Sequence, residues 1–358
     1  MRLFSCGHCD NRLYFENVTC ERCNATLGFL PDKRKLTSLN LLENGLWQPE
    51  GQKSLYRKCA NYEQHDSCNW MISSNDPHEL CIACRLNDTI PNLSVEGHLD
   101  LWRNLETEKR RLIYSLLRLS LPITPLNEDP TGLGFDFKAD SPHPFSERDK
   151  VLTGHANGLI TINIKEADPV EREKMRGTLD EPYRTLLGHF RHESGHYYWN
   201  KLIQNTELLE ECRALFGDDT LDYGKALENH YKEGAPSDWQ ENFISSYATM
   251  HPWEDWAETW AHYLHIIDTL ETAWQFNIGI RPKTGDDFEK MIRNNLDPYK
   301  ADSIETLIAQ WLPLTFALNS LNRSMGYEHA YPFVISQPVI EKLGFVHRVI
   351  HAADQPTV

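Results

Sequence analysis

No apolar run in the chain approaches the roughly 18 residues that a membrane-spanning helix needs, and its start, MRLFSCGHC, has no apolar h-region. Neither a spanning nor an exported protein is expected, and a cytoplasmic chain is the reading that follows. Basic charge is scarce as well: 36 Lys and Arg stand against 52 Asp and Glu, a formal net charge of -16 over 358 residues. Unspecific affinity for phosphate polymers and anionic lipid comes from clustered cations, so general nucleic-acid or membrane-surface binding is argued against. Cysteine is nearly absent beyond residue 84, where Cys212 stands alone in a Leu-rich segment and reads as a buried structural thiol.

What is present fits a globular protein: 40% hydrophobic and 25% charged residues, in a length that suggests two or three units. The other eight cysteines fall in the first 84 residues, six of them in Cys-x-x-Cys pairs. Two thiolates at that spacing on a tight turn grip one ion, so tetrahedral zinc is expected rather than disulfides. Cys6, Cys9, Cys20 and Cys23 form two knuckles ten residues apart, the pattern of a zinc ribbon. Cys59, Cys68, Cys81 and Cys84 form a second set, in which only the last pair is a knuckle. A metal replacing a core that so few residues cannot build is the reading of both ions. His8 and His65 read as bystanders, since four thiolates per site suffice. Residues 1–58 hold nine Lys or Arg against six Asp or Glu, too small a surplus for a ribbon that grips nucleic acid. Leu39, Leu41, Leu42 and Trp47 supply packing between the two sets, so residues 1–95 are expected to form one small zinc-ribbon domain.

From Gly97 to Leu121 apolar residues recur at helical spacing and stop before Pro122, predicting an amphipathic helix that opens a second domain, residues 96–358, because the zinc region offers its apolar face no core. Phe135 and Phe137 alternate as a short strand, and Gly154 to Ile164, GHANGLITINI, reads as one longer strand. A polar helix is expected to begin at Pro169 and break at Gly177. Asp180, Glu181 and Pro182 then open the next helix, and Asp302 to Leu318 reads as a core helix interrupted at Pro313. Ile278 to Pro282 with Gly285 read as a loop, Val339 to Leu343 as a short helix, and residues 353–358 as a frayed tail.

The segment LLGHFRHESGHYYW, residues 186–199, holds His192, Glu193 and His196 as His-Glu-x-x-His. On a helix the two imidazoles lie one turn apart, about 6 Å along the axis, and can reach one metal ion. Glu193 beside them can take a proton from a water without being a ligand. His189 falls on the same face and reads as a packed, hydrogen-bonded histidine. A hydrolytic zinc keeps three protein ligands, and the Gly and His of a metzincin extension are absent where Trp199 and Leu202 stand. HPWEDWAETWAHYLH, residues 251–265, reads as a mostly buried helix and supplies Glu254 and Glu258 one turn apart. One would bind the metal while the other holds a ligand histidine by its second ring nitrogen.

A Glu-x-x-x-Glu after His-Glu-x-x-His resembles the gluzincin branch of zinc peptidases. That resemblance makes Glu254 the ligand and Glu258 its support; the reverse, with His262 beside Glu258, stays open. It also gives Tyr247, seven residues before Glu254 on a predicted helix WQENFISSYATM, the role of an oxyanion donor, with simple packing as the alternative. The four-cysteine ribbon, LGHFRHESGHYYW, HPWEDWAETWAHYLHIIDTLETA and PFVISQPVIEKLGFVH together resemble the bacterial family of zinc-binding metallopeptidases with a zinc-ribbon head. The resemblance implies an α+β chain: a small ribbon domain, then a mainly helical zincin-like domain with a short antiparallel sheet. It implies Zn2+ as cofactor, one catalytic and two structural ions, and a peptide or protein substrate, with the Leu159 to Ile164 strand similar to the edge strand that pairs with an extended peptide. The alternative is a regulatory protein whose zincin site senses a ligand or acts on one partner, recruited by a protein-docking ribbon.

Overall fold

The computed structural model describes residues 1–140, 151–179, 185–283, 292–293 and 296–353. It divides into two compact units, residues 1–118 with 122–190, and residues 119–121 with 191–358. The class is α+β, a four-cysteine ribbon followed by a largely helical region, and no described helix is long and apolar enough to cross a membrane.

In the first unit, β1 (Phe4–Ser5) and β2 (Arg12–Leu13) form a small hairpin. β3 (Leu27–Leu30), β4 (Lys35–Leu41), β5 (Trp47–Pro49), β6 (Tyr56–Lys58) and β7 (Met71–Ser73) form an antiparallel meander. Its ends meet, because the Phe29 amide donates to the Asn69 carbonyl at 2.8 Å. Two short helices, α1 (Ala60–His65) and α2 (Ile82–Arg85), each begin directly after a cysteine. α3 (His98–Arg118) is the expected amphipathic helix, but it packs on this zinc-binding region. Tyr114 joins Phe15 and Phe29, with ring centroids 5.3 and 6.1 Å away, and Arg103 donates to the His65 carbonyl. The expectation that the zinc region has no core to offer this helix is therefore corrected: Phe15, between the two knuckles of the first cysteine set, and Phe29, between the two sets, provide one.

The second sheet of this unit runs β10-β11-β9-β8, with β8 at Asn87–Thr89, β9 at Gly134–Lys138, β10 at Gly154–Ala156 and β11 at Leu159–Asn163. It is mixed rather than antiparallel, since β9 pairs in parallel with both β8 and β11. The single strand expected over 154–164 is a hairpin. Asn157 and Gly158 have φ of 50° and 84°, the positive pair that a two-residue type I′ turn requires. β11 is paired on both sides, so it is not an edge strand; β10 takes that place.

α4 (Pro169–Leu179) runs through Gly177 without a break. Asp180, Glu181 and Pro182 lie outside the described residues. α5 (Leu186–Leu202) starts at Thr185, whose hydroxyl accepts from the Gly188 amide at 2.9 Å as an N-cap. The second unit continues α5 with α6 (Leu208–Phe216), α7 (Tyr223–Glu233), α8 (Pro252–Gln275), α9 (Ile304–Ser324) and α10 (Gln337–Ala353). Pro313 sits inside α9 without ending it, since neighbouring bonds hold the helix and the Thr315 hydroxyl reaches back to the Trp311 and Leu312 carbonyls. The short helix expected near Val339 is the 17-residue α10. The loop expected after Ile278 contains β12 (Gly279–Ile280), paired with β13 (Ile292–Arg293); Gly285 and the tail from 354 lie outside the described residues.

Candidate metal centres

All nine cysteines are free thiols, and the eight N-terminal ones gather into two clusters: Cys6, Cys9, Cys20, Cys23 and Cys59, Cys68, Cys81, Cys84. The sulfur separations are 3.7 Å for Cys6–Cys23, 3.6 Å for Cys9–Cys20 and 3.8 Å for Cys68–Cys81. A tetrahedron of Zn–S bonds of about 2.3 Å has edges of about 3.8 Å, whereas a disulfide would bring two sulfurs to about 2 Å. Both clusters thus fit zinc. In the ribbon each knuckle is followed by a left-handed residue, Asp10 (φ 59°) and Asn24 (φ 58°), whose amides return to the Cys6 and Cys20 carbonyls. In the second cluster the Cys81 and Trp70 amides donate to the Cys59 and Cys68 sulfurs, both at 3.3 Å. His8 is exposed and His65 stacks edge-on against Trp102; neither belongs to a cluster.

The third cluster is His192, His196 and Glu254, built where α5 crosses α8. Gly195 makes the crossing close: a Cβ there would lie 3.0 Å from the Ala257 Cα and 3.2 Å from Trp260. Trp256 donates to the Gly195 carbonyl at 2.9 Å and Trp260 to the Ser194 hydroxyl at 3.1 Å, so the two helices are tied at the same point. Across the crossing, Nε2 of His192 stands 3.2 Å from Nε2 of His196 and 2.9 Å from Glu254 Oε2, and His196 Nε2 is 3.4 Å from Glu254 Oε1. Tetrahedral zinc with N and O ligands at about 2.0–2.1 Å has edges of about 3.3 Å, close to the His192–His196 and His192–Glu254 Oε2 separations, and one ligand atom from each of the three residues lies within 4.8 Å of the others, so this donor set fits one ion.

Glu258 faces the other side of His192. Its Oε1 is 2.6 Å from Nδ1, and its Oε2 accepts from the Ser245 hydroxyl at 2.6 Å. This carboxylate therefore fixes the tautomer that leaves Nε2 bare for a metal. Burial opposes the charge on Glu254, but His196 and His192 outweigh it and hold the carboxyl well below its usual value. Burial likewise opposes charge on Glu258, and His192 outweighs it, pulling the carboxyl down to about 2. Burial also disfavours protonated His192, yet Glu254 and Glu258 raise its pKa well above the ordinary value. Two anionic carboxylates around facing imidazoles make a site electrostatically suited to a cation.

Glu193 is 8% exposed, and its Oε2 has no hydrogen-bond partner among the described residues. Tyr247 is not on a helix of the WQENFISSYATM segment, which has only short 3-10 turns at Trp239–Glu241 and Tyr247–Thr249. Its ring nevertheless lies 6.0 Å from that of His192. Burial and Glu254 raise the Tyr247 phenol far above its usual pKa, keeping it a proton donor. His189 pairs with the buried Glu166 at 2.5 Å, matching its reading as a packed, hydrogen-bonded residue. His262 is likewise bonded to the Tyr331 hydroxyl at 2.8 Å. Cys212 is buried, as expected.

Sequence reasoning missed Ser245, Tyr223 and the packing of Trp253. The Tyr223 hydroxyl donates to Glu254 Oε1 at 2.9 Å, and Trp253 lies against the His196 ring with centroids 3.8 Å apart. Tyr223 stands 31 residues before Glu254 on a separate helix, so no linear spacing could have found it. Trp253 adjoins Glu254 in sequence, and an aromatic beside a ligand was a usable signal.

A model of a family described as "Putative zinc-binding metallo-peptidase" matches residues 98–349, and a zinc-ribbon domain model matches residues 3–95. Uncharacterised proteins of Mycobacterium bovis and of Mycobacterium tuberculosis are each 42% identical to the chain over 352 residues, covering 98% of it and 95% of their own length. No solved structure matches.

Proposed function

We propose, on the premise that the chain belongs to the family described as "Putative zinc-binding metallo-peptidase" and carries a zinc-ribbon domain, that it hydrolyses peptide bonds at the His192, His196, Glu254 centre. The observation that carries this reading is the set of three buried donors at zinc-sized separations next to a buried carboxylate oxygen of Glu193 that has no partner among the described residues. His192, His196 and Glu254 hold the ion, and Glu258, braced by Ser245, orients His192. When bound, zinc supplies Lewis-acid chemistry, acidifying a water and polarising a carbonyl. Glu193 accepts the proton of the attacking water and hands it to the departing amine. Tyr247, held neutral, donates to the oxygen on which negative charge develops.

The ligand order, with Glu254 on the Nε2 side and Glu258 on the Nδ1 side, is that of a gluzincin. The eight N-terminal cysteines hold two structural ions, giving three zinc ions per chain in two domains, residues 1–95 and 96–358. Glu193→Gln tests the assignment: the variant is expected to keep its full zinc content and to lose cleavage of a mixed peptide library. Cleavage at the wild-type rate by Glu193→Gln overturns it.

A further inference from the structure

A carboxylate has two oxygens, and a metal at the third cluster can be bound by one or by both. The surroundings of Glu254 treat the two differently. Oε1 accepts the Tyr223 hydroxyl at 2.9 Å, while Oε2 is buried, has no hydrogen-bond partner among the described residues and lies 2.9 Å from His192 Nε2. From this asymmetry we infer that Tyr223 is a positioning residue for the metal site: it occupies Oε1 and leaves Oε2 as the single ligating atom of Glu254. The inference rests on the assignment of Glu254 as a ligand.

The local structure shows how Tyr223 is brought there. His251 caps α8: its Nδ1 accepts from the Trp253 amide at 3.1 Å. The other nitrogen of the same ring, Nε2, must then carry the proton, and it lies 3.1 Å from the Leu221 carbonyl. One imidazole thus joins the start of the helix that carries Glu254 to the chain two residues before Tyr223. Asp222 next caps α7, its carboxylate accepting from the Lys225 amide at 3.0 Å, which sets Tyr223 as the first helical residue. The Tyr223 ring packs against His251 and Trp253, at centroid distances of 5.4 and 6.1 Å. By contrast α7 buries none of its residues. Its first residue is tied to the metal site while the rest of its surface contributes little packing, so the placement of the hydroxyl is not explained by a core role.

A phenol donating to the outer oxygen of a ligand carboxylate does three things. It restricts rotation about the Glu254 side chain, it discourages two-oxygen binding, and it draws charge from the carboxylate so that the ion retains more of its acidity. Partners of this kind are worth about 10–100-fold in metal affinity.

The experiment uses the full chain with both four-cysteine sites loaded. Tyr223→Phe removes only the hydroxyl, and zinc binding at the third centre is measured by competition with a chromophoric chelator, with no peptide substrate needed. The expected result is a 10–100-fold weaker affinity at that centre, with the other two ions retained and the far-ultraviolet spectrum unchanged. A cobalt-substituted sample is expected to show a weakened visible absorption in Tyr223→Phe, as a second carboxylate oxygen raises the coordination number. Unchanged zinc affinity together with an unchanged cobalt spectrum overturns the inference, even if turnover falls, because the hydroxyl would then act on substrate alone. Absence of peptidase activity in the wild-type protein would count against the proposed function and leave both metal readouts intact.

Discussion

Substitution of Gly195 tests how the two helices create the candidate active centre. An Ala Cβ at this position would meet the Ala257 Cα at 3.0 Å and two Trp260 atoms at 3.2 Å, where ordinary contact begins near 3.4 Å. Relief therefore requires α5 and α8 to part by a few tenths of an ångström, while zinc bonds tolerate about 0.2 Å. His196 directly follows Gly195 in the chain, and Glu254 lies about one turn before Ala257, so both ends of the donor set move with the contact. Overpacking of this kind costs about 1–3 kcal/mol. Gly195→Ala is expected to weaken zinc at the third centre by at least about tenfold, on the scale of lost ligand support. Gly195→Val, with two further methyl groups aimed at the same backbone, is expected to lose that ion altogether. Zinc counted by mass spectrometry after dialysis against a chelator, beside a thermal melt, reads both effects. Ser194→Ala is the control, because it removes the hydroxyl that accepts from Trp260 and donates to the Arg191 carbonyl without adding an atom to the crossing. Wild-type zinc retention by Gly195→Val would refute the reasoning.

Metal analysis of the wild-type protein is expected to give three zinc ions per chain, falling to two in His192→Ala/His196→Ala; a wild-type count of two would remove one of the three sites. Gly158→Ala is expected to destabilise by about 2 kcal/mol or more in urea, since the residue has φ of 84° and its Cβ would strike the Gly132 carbonyl oxygen at 2.2 Å. The same change at Gly154, which has open space around it, serves as comparison. Burial, aided by Arg191 and opposed by Glu258, lowers the His262 pKa from 6.5 to about 4. The unfolded chain then binds more protons than the native one between those values, so stability falls as pH drops from 6.5 towards 4, by about 3 kcal/mol from this group. His262→Gln should flatten that slope in unfolding curves taken across the window; an unaltered slope would show that His262 is not its source.

The donor groups were legible in the sequence because their spacing is itself geometry. Cys-x-x-Cys describes one turn, and His192 with His196, or Glu254 with Glu258, describes one face of one helix. The α3 periodicity was equally plain, but not its partner: Tyr114 packs among Phe15 and Phe29, more than eighty residues away in sequence. The Asn157-Gly158 turn was a readable hairpin signal hidden in an apparently continuous β pattern, and missing it made an interior strand look like an edge. Pro313 shows the opposite error, a local breaker overruled by the rest of its helix.

The sequence by itself determined which residue types could bind metal and which turns and helix faces carry them, since each of those depends on separations of a few residues along a regular backbone. Only the tertiary structure decided which carboxylate meets the Nε2 atoms and which braces Nδ1. It also decided that Tyr223 and Ser245 hold those carboxylates and that Gly195 sets the distance between the helices. These facts arise where one helix crosses another, and the crossing is set by packing between residues about sixty positions apart, which no local spacing encodes.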